Sequence, residues 1–349
     1  MNPWTQMWLN YFPRAAKGNE AYFEKYRLDG FEKEHYVIRS ALTELECGIR
    51  GMLVLPPPVH SSLAQAEKGT FVIRRISEAG SGVKTEGYHL KEQDGRLFLM
   101  AVEEKGVLSG VFDLLRRIAM EESLKGVDVL CNPDNPNRML NHWDNMDGGI
   151  ERGYSGESFF YKDYKIIWND RIVQYVRMMA SIGINAIVIN NVNVHENETY
   201  LITDRYLQQV KQYADLFAKY GIKLYTSVNF AAPMELDNFA DCDPLNPMVA
   251  DWWKKAVAHV YEVIPNFGGF LVKADSEGRP GPFTYGRTHA DGANMLGRAL
   301  APYGGILVWR CFVYNCGQDW RDKKTDRARA AYDNFIELDG KFDDNVILQ

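Results

Sequence analysis

The chain has 349 residues, of which 46% are hydrophobic and 25% charged, the proportions of an ordinary soluble globular protein. A net charge of −6 and a pI near 5.7 argue against a protein that binds nucleic acid, because such proteins cluster Lys and Arg. At about 150 residues per domain, the length predicts two domains.

The N-terminal stretch lacks the pattern of a signal peptide. It has neither a basic start nor an uninterrupted apolar run, and no run of about 18 apolar residues occurs elsewhere. We therefore expect a cytoplasmic protein with no membrane partner. The cysteines are scattered and odd in number, which favours reduced thiols, and without zinc-ligand spacing we expect no metal and no cofactor. They are Cys47, Cys131, Cys242, Cys311 and Cys316.

Residues 1–130 are predicted to form a small N-terminal α/β domain. Residues 71–76 are extended, and Asp94-Gly95 between two alternating runs is a hairpin signal. Apolar residues from Val107 to Ile118 recur at helical spacing. The Pro- and Asn-rich segment 131–137 marks the boundary to the second predicted domain, residues 131–349.

The second domain alternates between predicted strands and helices. Such alternation indicates a parallel sheet, and without GxGxxG after the first strand it favours a (β/α)8 TIM-type barrel over a doubly wound sheet. Only about six strands are present, so we expect a barrel that is truncated at the C-terminus and poorly stable alone. The predicted strands are 138–145, 184–191, 222–230, 269–276, 305–313 and 345–349, and the predicted helices are 171–182, 203–221, 248–264 and 291–300.

The stretch GGFLVKADSEG at 268–278 is the most informative one. An apolar run from Phe270 to Ala274 predicts a buried strand with a polar tip at the rim where barrel enzymes hold their active sites. Because side chains alternate along a strand, we expect Lys273, Asp275 and Glu277 to project from one face. Glu277 is a candidate general acid.

Three further segments hold candidate site residues. In the loop at 141–161, Trp143 could form a wall for a sugar ring or fill the core, and His142 and Asp144 could bind a ligand or form a structural pair. Arg287 lies before a predicted helix, whose first turn Asp291 could cap, and could belong to the pocket or to the structure. The Asn-rich segment 190–199 suits recognition of hydroxyl groups, although an ordinary loop is equally consistent.

Five motifs resemble the α-glucuronidases of glycoside hydrolase family 67. The resemblance covers nearly all of residues 130–349, and the first domain is similar in kind to that of the family, with weaker motifs. The motifs are LNHWDNMDGGIERGYSG (140–156), INNVN (189–193), LVKADSEGRPGP (271–282), YGRTHADGANML (285–296) and ILVWRCFVY (306–314).

The resemblance implies an enzyme that removes α-1,2-linked 4-O-methyl-D-glucuronic acid from xylo-oligosaccharides with inversion. It places Glu277 on the family's general acid, and Lys273 and Arg310 on cations that hold the uronic acid. Trp143 falls on an aromatic residue that lines the sugar pocket, and Val194 on an apolar residue beside it. The residue types agree with this, because an acidic substrate needs fixed cations and the planar fork of Arg suits a carboxylate.

The resemblance also implies what the chain lacks. The water-activating carboxylates of the family and its helical C-terminal region lie downstream of Gln349, so no base is nominated and this chain alone is expected to be inactive. A homodimer is expected only with that C-terminal region. Two alternatives stay open: a non-catalytic carbohydrate-binding fragment, and another barrel glycosidase such as a hexosaminidase-like enzyme.

Overall fold

The structure, a computed structural model, describes residues 9–61, 67–153, 155–276, 278–311 and 327–349. The chain divides into two compact units. The predicted domain boundary after residue 130 stays a prediction. The first unit consists of Met1–Arg138, Val173–Asn185 and Leu216–Ile222, and the second of Met139–Ile172, Ala186–Asp215 and Lys223–Gln349.

The first unit contains a mixed sheet and two helices that pack against each other. The elements are β1 (Lys25–Asp29), α1 (Tyr36–Gly48), β2 (Val59–His60), β3 (Thr70–Arg75), β4 (Tyr88–Gln93), β5 (Arg96–Ala101), α2 (Glu104–Ala119) and β6 (Asp128–Cys131). The strand order is β2-β1-β3-β5-β4-β6; β4 is antiparallel to both β5 and β6, and the other pairs are parallel. The strand predicted at 71–76 and the helix predicted around 107–118 are confirmed as β3 and α2.

Strands β4 and β5 form the predicted hairpin. Asp94 and Gly95 connect them with φ angles of 55° and 75°. Positive φ at both central residues is the geometry of a type I′ turn, whose twist matches that of the flanking strands. The hairpin prediction is therefore confirmed.

A buried charge cluster lies within the first unit. The side chain of Glu44 on α1 is 2% exposed and is bound by Arg177 of the segment Val173–Asn185. The Arg177 Nη2 atom donates to Glu44 Oε2 at 2.8 Å, and the Tyr11 hydroxyl donates to the same oxygen at 2.7 Å. These donors replace the water that burial removes from the carboxylate.

The remaining described elements alternate between strands and helices, and α3 and α5 continue into segments of the first unit. The strands are β7 (Met139–Asn141), β8 (Tyr161–Lys162), β9 (Lys165–Ile166), β10 (Ala186–Val188), β11 (Lys223–Ser227), β12 (Gly269–Val272), β13 (Ile306–Trp309) and β14 (Val346–Leu348). The helices are α3 (Asp170–Ser181), α4 (Glu196–Thr199), α5 (Leu207–Ala218), α6 (Ala232–Asp237), α7 (Pro247–Val263), α8 (His289–Leu300) and α9 (Arg327–Phe335).

Six of these strands form one parallel sheet in the order β14-β13-β12-β11-β10-β7. The order follows the chain, and a helix stands between each successive pair. This arrangement fits part of a (β/α)8 barrel, and the predicted α/β class with a parallel sheet is confirmed.

The two faces of this sheet have different neighbours. On one face, Val188, Tyr225, Leu271 and Val308 belong to an apolar cluster, with Trp143 packed at its edge. On the other face, side chains contact the helices: Phe270 lies against Trp253 of α7, and Trp309 against His289 of α8. This alternation is the period of two expected of a strand.

Strand β12 ends earlier than the sequence predicts. It stops at Val272, and Asp275 adopts a left-handed φ of 53°. Because alternation holds only within an extended strand, the prediction that Lys273 and Asp275 project from one face of the strand is wrong, and its third residue, Glu277, lies outside the described residues. Asp tolerates the left-handed region better than most residues, since its short polar side chain can hydrogen-bond locally.

Among the described residues, no helix has the length and apolar character needed to cross a bilayer. Four cysteines, Cys47, Cys131, Cys242 and Cys311, are free thiols. Cys316 lies outside the described residues.

Candidate active site

The carboxyl ends of β12 and β13 bring Lys273 and Arg310 side by side. Val272 pairs with Trp309 in parallel register, and the Arg310 N–H donates to the Val272 carbonyl at 2.9 Å. Each cation is therefore the first residue after its strand. In (β/α)8 enzymes the active site is built at this end of the strands.

Arg310 lies over an aromatic ring. Its Cζ atom is 5.2 Å from the centroid of the Trp143 ring, a distance at which a guanidinium is attracted to the ring face. Burial lowers the pKa of Arg310, while the Glu151 carboxylate opposes that shift. Within the described residues no carboxylate forms an ion pair with Arg310.

Asn193 connects Lys273 to Glu151. The Lys273 Nζ atom donates to Asn193 Oδ1 at 2.6 Å, and Asn193 Nδ2 donates to Glu151 Oε2 at 3.4 Å. Asn191 Nδ2 donates to the same Glu151 oxygen at 3.0 Å. The loop after β10 therefore fixes the lysine, and Glu151 fixes that loop.

The Asn-rich loop was predicted either to recognise hydroxyl groups or to be an ordinary loop, and its asparagines have hydrogen-bond partners within the protein, while hydroxyl recognition stays a prediction. The side chain of Asn190 is fully buried and bridges the backbone of Ser227, accepting from its N–H at 2.8 Å and donating to its carbonyl at 3.1 Å. Val194, the predicted apolar pocket residue, is 1% exposed and lines the same recess as Lys273. Its side chain is thus placed beside one of the two predicted uronate cations.

His142 and Asp144 form a hydrogen-bonded pair. His142 Nδ1 and Asp144 Oδ1 are 3.2 Å apart, and the imidazole packs edge-on against Phe159 and Phe160. The structural pair was one of the two predicted alternatives, and a contact with substrate stays a prediction. Both residues follow β7 at the same end of the sheet as Lys273.

Arg287 has a partner in the protein. Its Nη2 and Nε atoms lie 2.9 Å and 3.0 Å from the Asp243 carboxylate, and this bond holds the Asp243 pKa below its ordinary value. A role for Arg287 in substrate binding stays a prediction, and the structure supplies the structural alternative.

The predicted general acid Glu277 lies outside the described residues. In the ranges given above, no three His, Cys, Asp or Glu side chains are grouped so that they could hold a metal ion. The described part of the candidate site therefore consists of Trp143, Lys273 and Arg310 with their supporting loops.

Comparison with known sequences decides the family. Residues 117–349 match the glycosyl hydrolase family 67 middle domain, which is more than half of the chain. The chain belongs to glycosyl hydrolase family 67. The resemblance carried by the five sequence motifs is confirmed.

Relatives within family 67 have similar sequences over most of this chain. The probable alpha-glucuronidase A of Aspergillus fumigatus is 40% identical over 316 residues, which cover 88% of this chain and 37% of that protein. The alpha-glucuronidase of Hypocrea jecorina is 39% identical over 331 residues, which cover 89% of this chain and 38% of that protein. The chain thus spans well under half of the length of these relatives.

Solved structures share the fold of this family 67 chain at low identity. A family 115 4-O-methyl-alpha-glucuronidase with specificity for decorated arabinogalactans has a TM-score of 0.52 at 15% identity, over 85% of this chain and 44% of that one. A family 20 beta-N-acetylhexosaminidase from Streptomyces coelicolor A3(2) has a TM-score of 0.54 at 13% identity, over 97% of this chain and 72% of that one. Likeness at this level concerns the fold alone.

Sequence reasoning gave no role to Glu151 or Arg279 and gave Asn193 only a share in hydroxyl recognition, whereas the structure places all three around the two cations. Arg279 Nη1 donates to the Asn193 carbonyl at 2.9 Å, so it braces the residue that binds Lys273. All three lie in polar loops after predicted strands, which was the available signal. Their partners are 40 or more residues distant in the chain, and no local pattern identifies such pairs.

Proposed function

We propose that this chain forms the uronate-binding side of an α-glucuronidase active site. The substrate class is xylo-oligosaccharide bearing α-1,2-linked 4-O-methyl-D-glucuronic acid, and hydrolysis proceeds with inversion. The observation that carries the proposal is the placement of Lys273 and Arg310 as first residues after two paired strands. Membership of family 67 supports the reaction class.

The chemistry of the two cations suits a uronic acid. A planar guanidinium can bind both oxygens of a carboxylate, and an ammonium adds a compact charge beside it. Trp143 beneath Arg310 offers an apolar wall for the sugar ring. Because Arg310 is half-buried, its attraction to a carboxylate is screened less than it would be at the surface.

The proton donor in this proposal is Glu277. An inverting glycosidase needs one protonated carboxyl for the leaving oxygen and one carboxylate that activates water across the ring, about 6.5 to 9.5 Å away. In the sequence, Glu277 comes four residues after Lys273. The catalytic base is not assigned to any residue of this chain.

Binding of a free sugar acid tests the recognition step. Isothermal titration with 4-O-methylglucuronic acid, 4-O-methylglucose and N-acetylglucosamine should show a clear preference for the acid. Arg310→Ala should weaken acid binding about tenfold or more, because a hydrogen bond to a charged group contributes about 1.5 to 3 kcal/mol. Arg298→Ala is the matched control, since that side chain is 68% exposed and pairs with Asp343. Equal affinity for acid and neutral sugar would contradict the proposal.

Hydrolysis tests the catalytic step. In a hydrolytically active form that contains the catalytic base, Glu277→Gln should remove the limb of the pH-rate profile that reports the general acid. A substrate with an activated aryl leaving group needs less proton donation and should lose less rate in this variant. A protein that binds the acid and releases none from either substrate would be a carbohydrate-binding protein without turnover.

A further inference from the structure

Asp275 combines features that a simple loop residue does not have. It is 2% exposed, its φ is 53°, and its Oδ1 atom is buried without a hydrogen-bond partner. Gly281 approaches it so closely that a Cβ added there would lie 2.4 Å from the Asp275 carboxyl carbon. A carboxyl group is therefore enclosed by its own loop.

The same carboxyl joins the two ends of that loop. Asp275 Oδ2 accepts the backbone N–H of Phe283 at 3.4 Å, at the start of the 3₁₀ turn Pro282–Tyr285. Within the loop, the Arg279 N–H donates to the Ser276 carbonyl at 3.1 Å. The chain therefore leaves β12, turns, and returns to the carboxyl from which it started.

Arg279 connects the closed loop to Asn193 and Lys273 of the candidate site. The guanidinium of Arg279 donates to the Asn193 carbonyl, and the side chain of Asn193 binds the ammonium of Lys273. Displacement of Arg279 would remove a hydrogen bond that positions Asn193, the residue that binds Lys273. A carboxyl at the base of the loop can thus control a cation at the rim.

We propose that Asp275 is a positioning residue whose carboxyl group closes the loop that runs from Ser276 to Pro282 and so holds Arg279 against Asn193, the partner of Lys273. Closure of the loop stands on the geometry alone, whereas its consequence for uronate binding rests on the proposed function.

The charge of Asp275 changes within an accessible pH range. Burial raises its pKa to about 6, and the N–H groups of Phe283 and Thr284 oppose that shift. The cationic side chains lining the same recess are Lys273 and Arg279, and the Cys242 thiol interacts with Asp275 electrostatically. Burial raises the pKa of Cys242 to about 11, so the thiol stays neutral while Asp275 titrates. Because enclosure in the closed loop raises this pKa above that of a solvated carboxyl, ionisation favours the open loop, so closure should weaken as the pH rises through 6.

The NMR signal of the Phe283 amide reports the protonation state of Asp275 directly. In chain labelled with ¹⁵N-phenylalanine, with Phe283→Leu used for assignment, its amide signal should move with a midpoint near pH 6. Asp275→Asn should abolish that titration yet keep the loop closed, because Asn accepts the same N–H and tolerates the left-handed region. Asp275→Ala should open the loop, which raises hydrogen exchange at 278–284 about fivefold to tenfold, as for a lost cap.

Binding of the sugar acid is measured with the same variants. Asp275→Ala should weaken binding of 4-O-methylglucuronic acid about fivefold to tenfold, and Asp275→Asn should restore most of it. Asp215→Asn, an exposed carboxylate on α5 paired with Lys211, is the matched control and should change neither readout.

Three results would overturn the proposal: a Phe283 amide that does not titrate, one that titrates unchanged in Asp275→Asn, or wild-type exchange rates in Asp275→Ala. If Asp275→Ala does not fold, the Asn variant still decides the titration. Absence of uronate binding in the wild type would overturn the proposed function, while the amide measurements would still decide loop closure.

Discussion

At the scale of single residues, the buried ionisable groups of this chain differ in their partners. Glu44 is bound by Arg177 and Tyr11, whereas Asp275 keeps one carboxyl oxygen unpartnered and has a raised pKa. His289 is similarly confined, with one ring nitrogen bonded and the other buried without a partner. These differences predict distinct effects of mutation and of pH.

The Glu44–Arg177 pair should be important for stability. Arg177→Ala should lower the free energy of unfolding by about 3 to 5 kcal/mol, because it leaves a carboxylate buried without its main partner. Urea unfolding measures this. Arg116→Ala removes an arginine that is 67% exposed and pairs with Asp113, and should cost about 1 kcal/mol or less. Similar losses of unfolding free energy in both variants would show that the Glu44–Arg177 pair stabilises the protein no more than the Arg116–Asp113 pair.

His289 should make the protein sensitive to acid. Trp309 Nε1–H donates to His289 Nδ1 at 3.3 Å, and burial lowers the His289 pKa to about 4 from 6.5. Below pH 6.5 the unfolded chain binds the proton and the native chain does not, so stability falls as the pH falls from 6.5 to 4. The expected loss is about 3 kcal/mol.

The measurement is urea unfolding at several pH values on wild type and His289→Asn. The raised pKa of Asp275 acts oppositely in this range, because its native form holds the proton and stability falls as the pH rises from 4 to 6. Only the difference between wild type and variant is therefore informative. His259→Asn is the control, since His259 is 38% exposed. Parallel pH curves for wild type and His289→Asn would contradict the prediction.

At the scale of elements, α8 shows how local chemistry sets a boundary. The sequence suggested that Asp291 caps this helix, and the structure assigns the cap to Thr288 with Asp291 as its partner. Thr288 Oγ1 accepts the Asp291 N–H at 3.2 Å, and Asp291 Oδ2 accepts the Thr288 N–H at 2.8 Å. This reciprocal capping box places His289 against Trp309.

Loss of the cap should be measurable. Thr288→Ala should lower the free energy of unfolding by about 1 kcal/mol, because one N–H of the first turn loses its acceptor. Thr288→Ser keeps the hydroxyl and should lose much less. Equal losses for Ala and Ser, measured by urea unfolding, would mean that the cap contributes little.

At the scale of the whole molecule, the described parallel sheet has β7 and β14 at its two ends. Strand β14 bonds to β13, and its residue Leu348 is 42% exposed. An exposed apolar end strand is a template for pairing with another chain. We expect concentration-dependent association of this chain.

A charge on that strand should reduce association. Leu348→Lys places an ammonium on the end strand, which disfavours pairing between edges. Light scattering against concentration should show less association for this variant than for wild type. Tyr303→Lys changes another exposed apolar residue, 45% exposed and outside the strands, and should have a smaller effect. Identical scattering for all three proteins would exclude the β14 edge as the cause of association.

The sequence by itself determined the features that depend on neighbouring residues. Apolar periodicity predicted six parallel strands with intervening helices, Asp94-Gly95 predicted the hairpin, and the family motifs predicted the family. These features follow from backbone preferences and short-range patterns, which operate over a few residues. Strand ends were less predictable, since the alternating pattern continued past Val272 where the backbone turns at Asp275.

Tertiary structure alone decided which polar groups meet. Lys273 finds Asn193 across 80 residues, Arg287 finds Asp243 across 44, and Arg310 lies over Trp143. Each pairing requires strand register and loop closure, which arise from burial of the whole sheet. Local sequence patterns therefore do not identify these pairs. For the same reason, the enclosed carboxyl of Asp275 became visible only when Phe283 and Gly281 were placed beside it.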